Sequence, residues 1–299
     1  LEDKYLSAQL NEVEMVRKGC TAAYDLYVEF PTPTVEGMLA VAKAYSDVGM
    51  RATVAPMVAD RSLFEAIPGM VDALPDRYRS RVEAVRLAPA AATVEACRRI
   101  FRDWPFDRAQ IRPALAPTIP LHCSSDFLLA CRDLAADFGL GLHTHLAESR
   151  LQALAGIQTY GETLTSHLDK MGLLGPDLTA AHCVWLDEDD IQRLADRGCS
   201  VAHNPGSNLR LGSGIAPVRK MLDRGVNVGI GTDGSHCSDN QNMFEAMRFA
   251  SFVSRAVDVE PENWISTDEA MRMATRGSAR ATGFGESTGA LEVGRAADI

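Results

Sequence analysis

The stretch Gly141-Leu142-His143-Thr144-His145-Leu146-Ala147-Glu148 puts two imidazoles and a carboxylate at the end of a short apolar run. An extended chain alternates its side chains between two faces, so His143 and His145 point one way and Thr144 the other. Glu148 lies just beyond, where a turn returns it over the strand end. Imidazole nitrogen and carboxylate oxygen are ligands for a borderline cation such as zinc, and a nearby carboxylate can carry protons. A satisfied polar pair in a core is the competing explanation for the two histidines, so further ligands must come from elsewhere in the chain.

Candidates recur at intervals of about one strand-helix unit. His182, His203 and Asp233 close or follow the apolar runs Leu178 to His182, Cys199 to His203 and Val226 to Thr232, and the steps starting from His145 are 37, 21 and 30 residues. A catalytic cation site keeps one position open for water and lowers its pKa from about 15.7 to about 7, so hydroxide is present at neutral pH. There His145 and Asp233 suit ligand roles, and Asp233 can also accept the water's proton. Glu148 would carry a proton to the substrate, and His182 would stabilise charge in a tetrahedral intermediate. The target of such a site is an electron-poor carbon.

The elements that must position these groups are legible from periodicity. Leu6, Leu10, Val13 and Val16 mark a helix over residues 1 to 18, stopped by Gly19. Thr21 to Val28 reads as a strand, Val35 to Val48 as a helix closed by Gly49, and Arg51 to Val58 as a strand. Prolines 68, 75, 89 and 105 break residues 60 to 108 into short pieces, of which Ala91 to Phe101 is the clearest helix. Ile111 to Leu115 is a strand, and Ser124 or Ser125 caps a helix from Asp126 to Phe138. A loop follows Glu148, then helices at Glu162 to Met171, Asp187 to Arg197, Pro217 to Arg224 and Met243 to Val257. Ser266 and Glu269 form a capping box for a last helix to Ala281.

Seven strands alternating with helices imply parallel pairing through right-handed crossovers, as a closed barrel or an open doubly wound sheet. An open sheet would spread the four polar strand ends over about 15 Å, at roughly 4.8 Å per strand. A barrel gathers them at one mouth, so the expected fold is α/β, a TIM-like (β/α)8 barrel. Seven strands leave it one short, and the missing one is expected first, ahead of Leu1. Near the other end, Gly294 to Ile299 looks like the approach to a new strand.

At 299 residues the chain can form one large catalytic domain, and its 46% hydrophobic and 23% charged residues are ordinary for a globular protein. A net charge of −10, with no run of Lys and Arg, gives nucleic acid nothing to bind. No apolar run reaches the roughly 20 residues of a membrane span and no leader pattern opens the chain, so a cytoplasmic location is expected. The seven cysteines are scattered and never form C-x-x-C, which indicates neither a disulfide framework nor a thiolate metal site; Cys183 reads as a small buried hydrophobe.

The runs His143-Thr144-His145-Leu146-Ala147-Glu148-Ser149, Ala181-His182-Cys183, Val201-Ala202-His203-Asn204-Pro205-Gly206-Ser207-Asn208-Leu209 and Gly231-Thr232-Asp233-Gly234 resemble, in order and spacing, the amidohydrolase superfamily. They are most similar to its branch of guanine, cytosine and S-adenosylhomocysteine deaminases and triazine chlorohydrolases, and the likeness covers essentially residues 1 to 299. It implies a single metal, zinc or iron, in a (β/α)8 barrel over residues 1–285, with residues 286–299 beginning a small flanking β-sandwich. His145 and His182 match the strand-five and strand-six histidines, Asp233 the strand-eight aspartate, and Glu148 the proton-shuttling glutamate of H-x-x-E. His182 at its position contacts either the metal or mainly the attacked substrate atom. His203 and Asn208 match a motif near the substrate pocket.

Two departures stand out. The strand-one H-x-H pair, which gives two more ligands in the family, is absent from these residues and is expected upstream of Leu1. Many deaminase-type relatives carry Gly-Pro-His after strand four, where this chain reads Leu115-Ala116-Pro117, with His122 later in the loop. The resemblance implies an aminohydrolase releasing ammonia from an aminated purine, pterin, pyrimidine or triazine, or a chlorohydrolase with the same site, and a homodimer. Trp185, just past a strand end, could stack on such a ring; Phe64 and Trp104 read better as packing.

Rival readings fare less well. Gly229-Ile230-Gly231-Thr232-Asp233-Gly234 fits G-x-G-x-x-G, but Asp233 would repel a dinucleotide pyrophosphate and no clear strand follows. Gly212-Ser213-Gly214 reads as a plain loop, and His167 as solvated. A metal-free barrel serving as a binding module is opposed by His145, Glu148, His182 and Asp233 together, since packing alone does not call for them.

Overall fold

The computed structural model describes residues 1–84 and 87–298. The first half of the chain comprises α1 (Glu2–Arg17), β1 (Ala22–Tyr27), α2 (Val35–Val48), β2 (Arg51–Val58), the short helices α3 (Leu63–Ala66), α4 (Met70–Ala73) and α5 (Asp76–Glu83), then α6 (Ala90–Arg102), β3 (Ile111–Pro117), α7 (Ser125–Phe138) and β4 (Gly141–Leu146). The second half comprises α8 (Arg150–Tyr160), α9 (Leu164–Lys170), β5 (Leu178–His182), α10 (Glu188–Asp196), β6 (Ser200–His203), α11 (Pro205–Arg210), α12 (Val218–Asp223), β7 (Asn227–Ile230), α13 (Ser235–Ser238), α14 (Met243–Val257), α15 (Thr267–Arg272) and α16 (Ser278–Ala281). Gly49 and Gly139 end α2 and α7 in the left-handed conformation, as helix-stopping glycines do.

All seven strands are parallel and lie in chain order from β1 to β7. A doubly wound sheet would reverse its order part-way; an unreversed order is that of a barrel wall. The roll of the wall is fixed at its N-terminal end. Thr53 on β2 donates to the Thr282 carbonyl at 2.6 Å, Thr179 on β5 to Ala281 at 2.7 Å, and Asn227 on β7 to Gly277 at 3.1 Å. Arg112 on β3 reaches the Gly283 carbonyl. In a flat sheet β2 and β5 would stand about 14 Å apart, yet their side chains meet carbonyls of adjacent residues. The unpaired carbonyls at the end of α16 thus close the base of the sheet.

The inner face is lined by small residues, with Ala55, Ala114 and Ala116 buried beside Tyr24, Leu26 and Met57. The outer face carries the main core, in which Val54, Val201 and Val228 pack under helix residues such as Met38, Leu128 and Met221. Among the described residues no helix is long and apolar enough to cross a membrane.

Three expectations are corrected. The span after Glu148, expected as loop, holds α8, capped by Ser149. Its buried residues are Ala155 and Gly156, so it lacks the apolar inward stripe that periodicity detects. Helix α1 has the expected bounds but not the expected face: Leu6, Leu10, Val13 and Val16 are 43–75% exposed, and Glu12 and Met15 point inward. His167, expected to be solvated, stacks on Tyr160 with ring centroids 3.8 Å apart. Residues 286–298 form turns and irregular chain, and no strand is present among them.

Glu12 is fully enclosed with neither carboxyl oxygen hydrogen-bonded among the described residues. Burial, then the charges of Asp25 and Asp47, push its pKa up from 4.5 to about 8. The fold therefore keeps a proton that the unfolded chain releases near 4.5, so stability falls as pH rises from about 4.5 to about 8. Glu12→Gln, which cannot ionise, is expected to raise Tm little at pH 5 and more at pH 8, with a gain on the order of 2 kcal/mol. Thermal melts across that range check it; an equal gain at both pH values would contradict it.

Candidate active site

The C-terminal ends of β4, β5 and β7 bring His145, His182 and Asp233 together. The His145 and His182 rings stack with centroids 5.5 Å apart, and His182 Nε2 stands 3.9 Å from Asp233 Oδ2. The backbone at these ends is unusual. Ala147, His182, Cys183 and Asp233 all have positive φ, 46°, 69°, 51° and 60°, without being glycine. Such conformations cost about 1–3 kcal/mol each and gather at functional sites. They turn each strand end abruptly, and the turns are tied by Cys183 N–H to the Leu146 carbonyl at 3.0 Å and Trp185 N–H to the Ala147 carbonyl at 2.9 Å.

Each imidazole has a second partner that sets its tautomer. His145 Nδ1 lies 2.7 Å from the Thr118 carbonyl, and His182 Nδ1 lies 2.8 Å from Asn208 Oδ1. Neither oxygen has a hydrogen to give, so both Nδ1 atoms donate and Nε2 is the ring nitrogen left for the site. Burial, followed by the neighbouring His182, lowers the pKa of His145, outweighing Thr118, Glu148 and Asp233, which raise it. His143 is one layer deeper, its ring 4.9 Å from Tyr24 and 5.9 Å from His145, and burial holds its pKa well below the usual range.

Both Asp233 oxygens are held, Oδ2 by the Ser207 hydroxyl at 2.5 Å and Oδ1 by the Gly234 N–H at 2.7 Å. Gln241 braces the turn, donating to the Asp233 carbonyl at 2.7 Å and accepting from Thr232 at 2.5 Å. Glu148 accepts from the Gln152 amide at 3.2 Å. It lies close enough for its charge to act on His145 and, with that of Asp233, on Cys237.

The donor chemistry fits part of a metal shell. His182 Nε2 and Asp233 Oδ2 face each other across 3.9 Å, a nitrogen and an oxygen of the kinds a borderline cation takes. Among the described residues no group of three His, Cys, Asp or Glu side chains is placed to hold an ion alone.

Of the other expected residues, Asn208 turns its amide oxygen to His182. His203 is buried with neither ring nitrogen paired among the described residues, and burial followed by His182 lowers its pKa to about 4. Trp185 stays partly exposed, its N–H tied to the Ser213 carbonyl at 2.7 Å. Trp104 donates to the Ile111 carbonyl and packs on Phe106, and Phe64 is half-buried. Sequence reasoning passed over Ser207, Thr118, Gln152 and Cys237. It also set His122 aside, whose half-buried ring is close enough to His145 to feel its charge.

A model of the Amidohydrolase family matches residues 1–299. The chain belongs to this family. Over 296 residues this amidohydrolase is 36% identical to the 5-methylthioadenosine/S-adenosylhomocysteine deaminase of Syntrophobacter fumaroxidans, covering 99% of this chain and 60% of that protein. It is 34% identical to the 5'-deoxyadenosine deaminase of Methanosarcina mazei, covering 100% and 61%. Among solved structures it resembles atrazine chlorohydrolase from Arthrobacter aurescens TC1 complexed with zinc, with TM-score 0.86, 32% identity and coverage of 98% and 62%. It also resembles an adenosine deaminase from Xanthomonas campestris with bound zinc, with TM-score 0.82, 28% identity and coverage of 98% and 61%. The amidohydrolase chain thus spans about 60% of the length of the curated relatives it matches.

Gly231, between β7 and Asp233, leaves no room for a side chain: a Cβ there would meet Asn204 Oδ1 at 2.2 Å. Gly231→Ala is expected to cost about 1–3 kcal/mol of stability, read as a lower midpoint in urea unfolding. An unchanged midpoint would mean that Asn204 can move aside.

Proposed function

We propose that this protein is a metal-dependent hydrolytic deaminase that releases ammonia from an aminated N-heterocycle, with adenosine derivatives as the first substrates to test. The observation that carries the reading is the approach of His182 Nε2 to Asp233 Oδ2 beside the stacked His145 in an amidohydrolase. His145, Asp233 and His182 would hold the ion, with an H-x-H pair on a strand outside these residues completing the shell. Zinc is favoured over iron because similar structures contain it. A divalent ion supplies an acidified water and polarises the ring.

In the reaction, water adds to the ring carbon bearing the amine and gives a proton to Asp233. Glu148 passes a proton to the ring nitrogen and then, taking up the proton of the adduct's hydroxyl, a second one to the departing amine, the proton held by Asp233 replacing the first, while His182 stabilises the charge of the adduct. The C–N bond breaks with its electron pair leaving on ammonia, and the ring keeps the oxygen. Trp185 at the rim offers a face for the ring, and His203 lies deeper as an outer support. With chloride in place of the amine, the same groups would perform a chlorohydrolase reaction.

We further propose that residues 1–285 are the barrel domain and 286–299 the approach to a second, β-sandwich domain. An eighth strand would pair beside β1, under the exposed face of α1. Full burial of a Leu or Val side chain contributes about 1.5–3 kcal/mol, which favours a cover over that stripe. Ser278 already satisfies Ile230 on part of the free edge of β7. A cytoplasmic homodimer is the expected setting.

Metal analysis of the purified protein, with ammonia and chloride release measured on 5'-deoxyadenosine, S-adenosylhomocysteine, guanine, cytosine and amino- and chlorotriazines, tests the function. Absence of metal and of both products after zinc or iron loading would favour the binding-module reading. Chloride without ammonia would select the chlorohydrolase. Glu148→Gln and Asp233→Asn are each expected to lower kcat by about 100- to 10,000-fold with little change in Tm. Near-normal kcat in either would remove the role given to that residue.

A further inference from the structure

We infer that α11 is a positioning clamp, in which the consecutive residues Ser207 and Asn208 hold Asp233 and His182 respectively and fix His182 as its Nδ1–H tautomer. This rests on the active-site reading above and adds two residues that act through others.

Helix α11 is a short helix of 6 residues entered through Pro205, whose ring suits the first helical position. Consecutive residues on a helix point about 100° apart, so neighbours in sequence can serve different targets. The Ser207 hydroxyl donates to Asp233 Oδ2 at 2.5 Å, and Asn208 Oδ1 accepts from His182 Nδ1–H at 2.8 Å. Both residues are 1% exposed, so water does not compete for these bonds. The atoms they serve belong to the two groups that face each other across 3.9 Å, His182 Nε2 and Asp233 Oδ2.

The backbone under both targets is strained, with φ of 69° at His182 and 60° at Asp233. Side chains on such turns need support from outside their own strand. An amide at position 208 accepts the imidazole proton without adding a charge beside Asp233, which a carboxylate would do. Its Nδ2 is left unpaired among the described residues. That unpaired group is a cost, one that a purely structural residue at this position would have no reason to carry. α11 packs against α13 and α14, which follow β7 and the turn that carries Asp233.

The test uses 15N-imidazole-labelled protein, with the His182 signals identified by their loss in His182→Gln. Wild type is expected to carry its imidazole proton on Nδ1. Asn208→Leu should lose that fixed tautomer, and Asn208→Asp, which keeps an acceptor, should restore it; Asn208→Ser replaces the leucine variant if that fails to fold. On whichever substrate is turned over, Asn208→Leu and Ser207→Ala should each lower kcat by about 10- to 100-fold and change KM less. The double variant should fall little below the worse single one, since both act on one pair. An unchanged His182 tautomer in Asn208→Leu, or single effects that multiply in the double variant, would overturn the clamp. The spectrum does not require turnover, so a failure of the deaminase reading leaves it decisive.

Discussion

The roll of the sheet is the constraint on which the active site depends. Inward side chains on β2, β3, β5 and β7 all donate to carbonyls between Gly277 and Gly283. Each such bond contributes only about 0.5–1.5 kcal/mol, but the geometric consequence is larger. A short segment with helical pitch cannot satisfy donors spread along a flat sheet. Strands tied to one point at the base converge at the opposite end as well, and this brings Asp233, after β7, to His182, after β5. The fit is close at the base: a Cβ on Gly277 would stand 2.2 Å from the Val228 carbonyl.

Within that frame the polar groups are sorted by depth. His143 and His203 are enclosed and held neutral by desolvation, so they add imidazole dipoles and hydrogen-bonding atoms without net charge. His145 and Asp233 stand higher, partly exposed, His145 tied through Nδ1 and Asp233 through both of its oxygens. The tie is what makes the free side chemically definite: a neutral imidazole bound through Nδ1 has one remaining lone pair and one direction in which to offer it.

Much of the scaffold was legible in the chain. The bounds of α2, β2, β5 and α14 coincide with the runs read from apolar periodicity and stop glycines, because those elements obey the rule that their apolar side faces the core. α8 broke the rule by burying alanine and glycine while exposing Leu151, Leu154 and Ile157. α1 broke it by turning Glu12 inward. For the site, strand-end position identified His145, His182 and Asp233 as neighbours, since a parallel barrel leaves few other places for such residues. The partners that fix tautomer and orientation, Thr118, Ser207 and Asn208, were not legible as such. Their roles arise from contacts between loops with no shared period. His122 was hidden in the same way, its ring brought near His145 by a short turn after β3.

The left-handed residues at Ala147, His182, Cys183 and Asp233 bear on how this barrel could be recombined with its relatives. A loop transplanted at a strand end inherits whatever torsion the last strand residue already has. Here that torsion is one that most side chains resist, and it is sustained by a hydrogen bond from the neighbouring loop. A graft cut immediately after residues 146, 182 or 233 would therefore separate a joint from its support. Splice points placed within the strands, before Leu146, before Ala181 and before Ile230, would carry each joint with its loop.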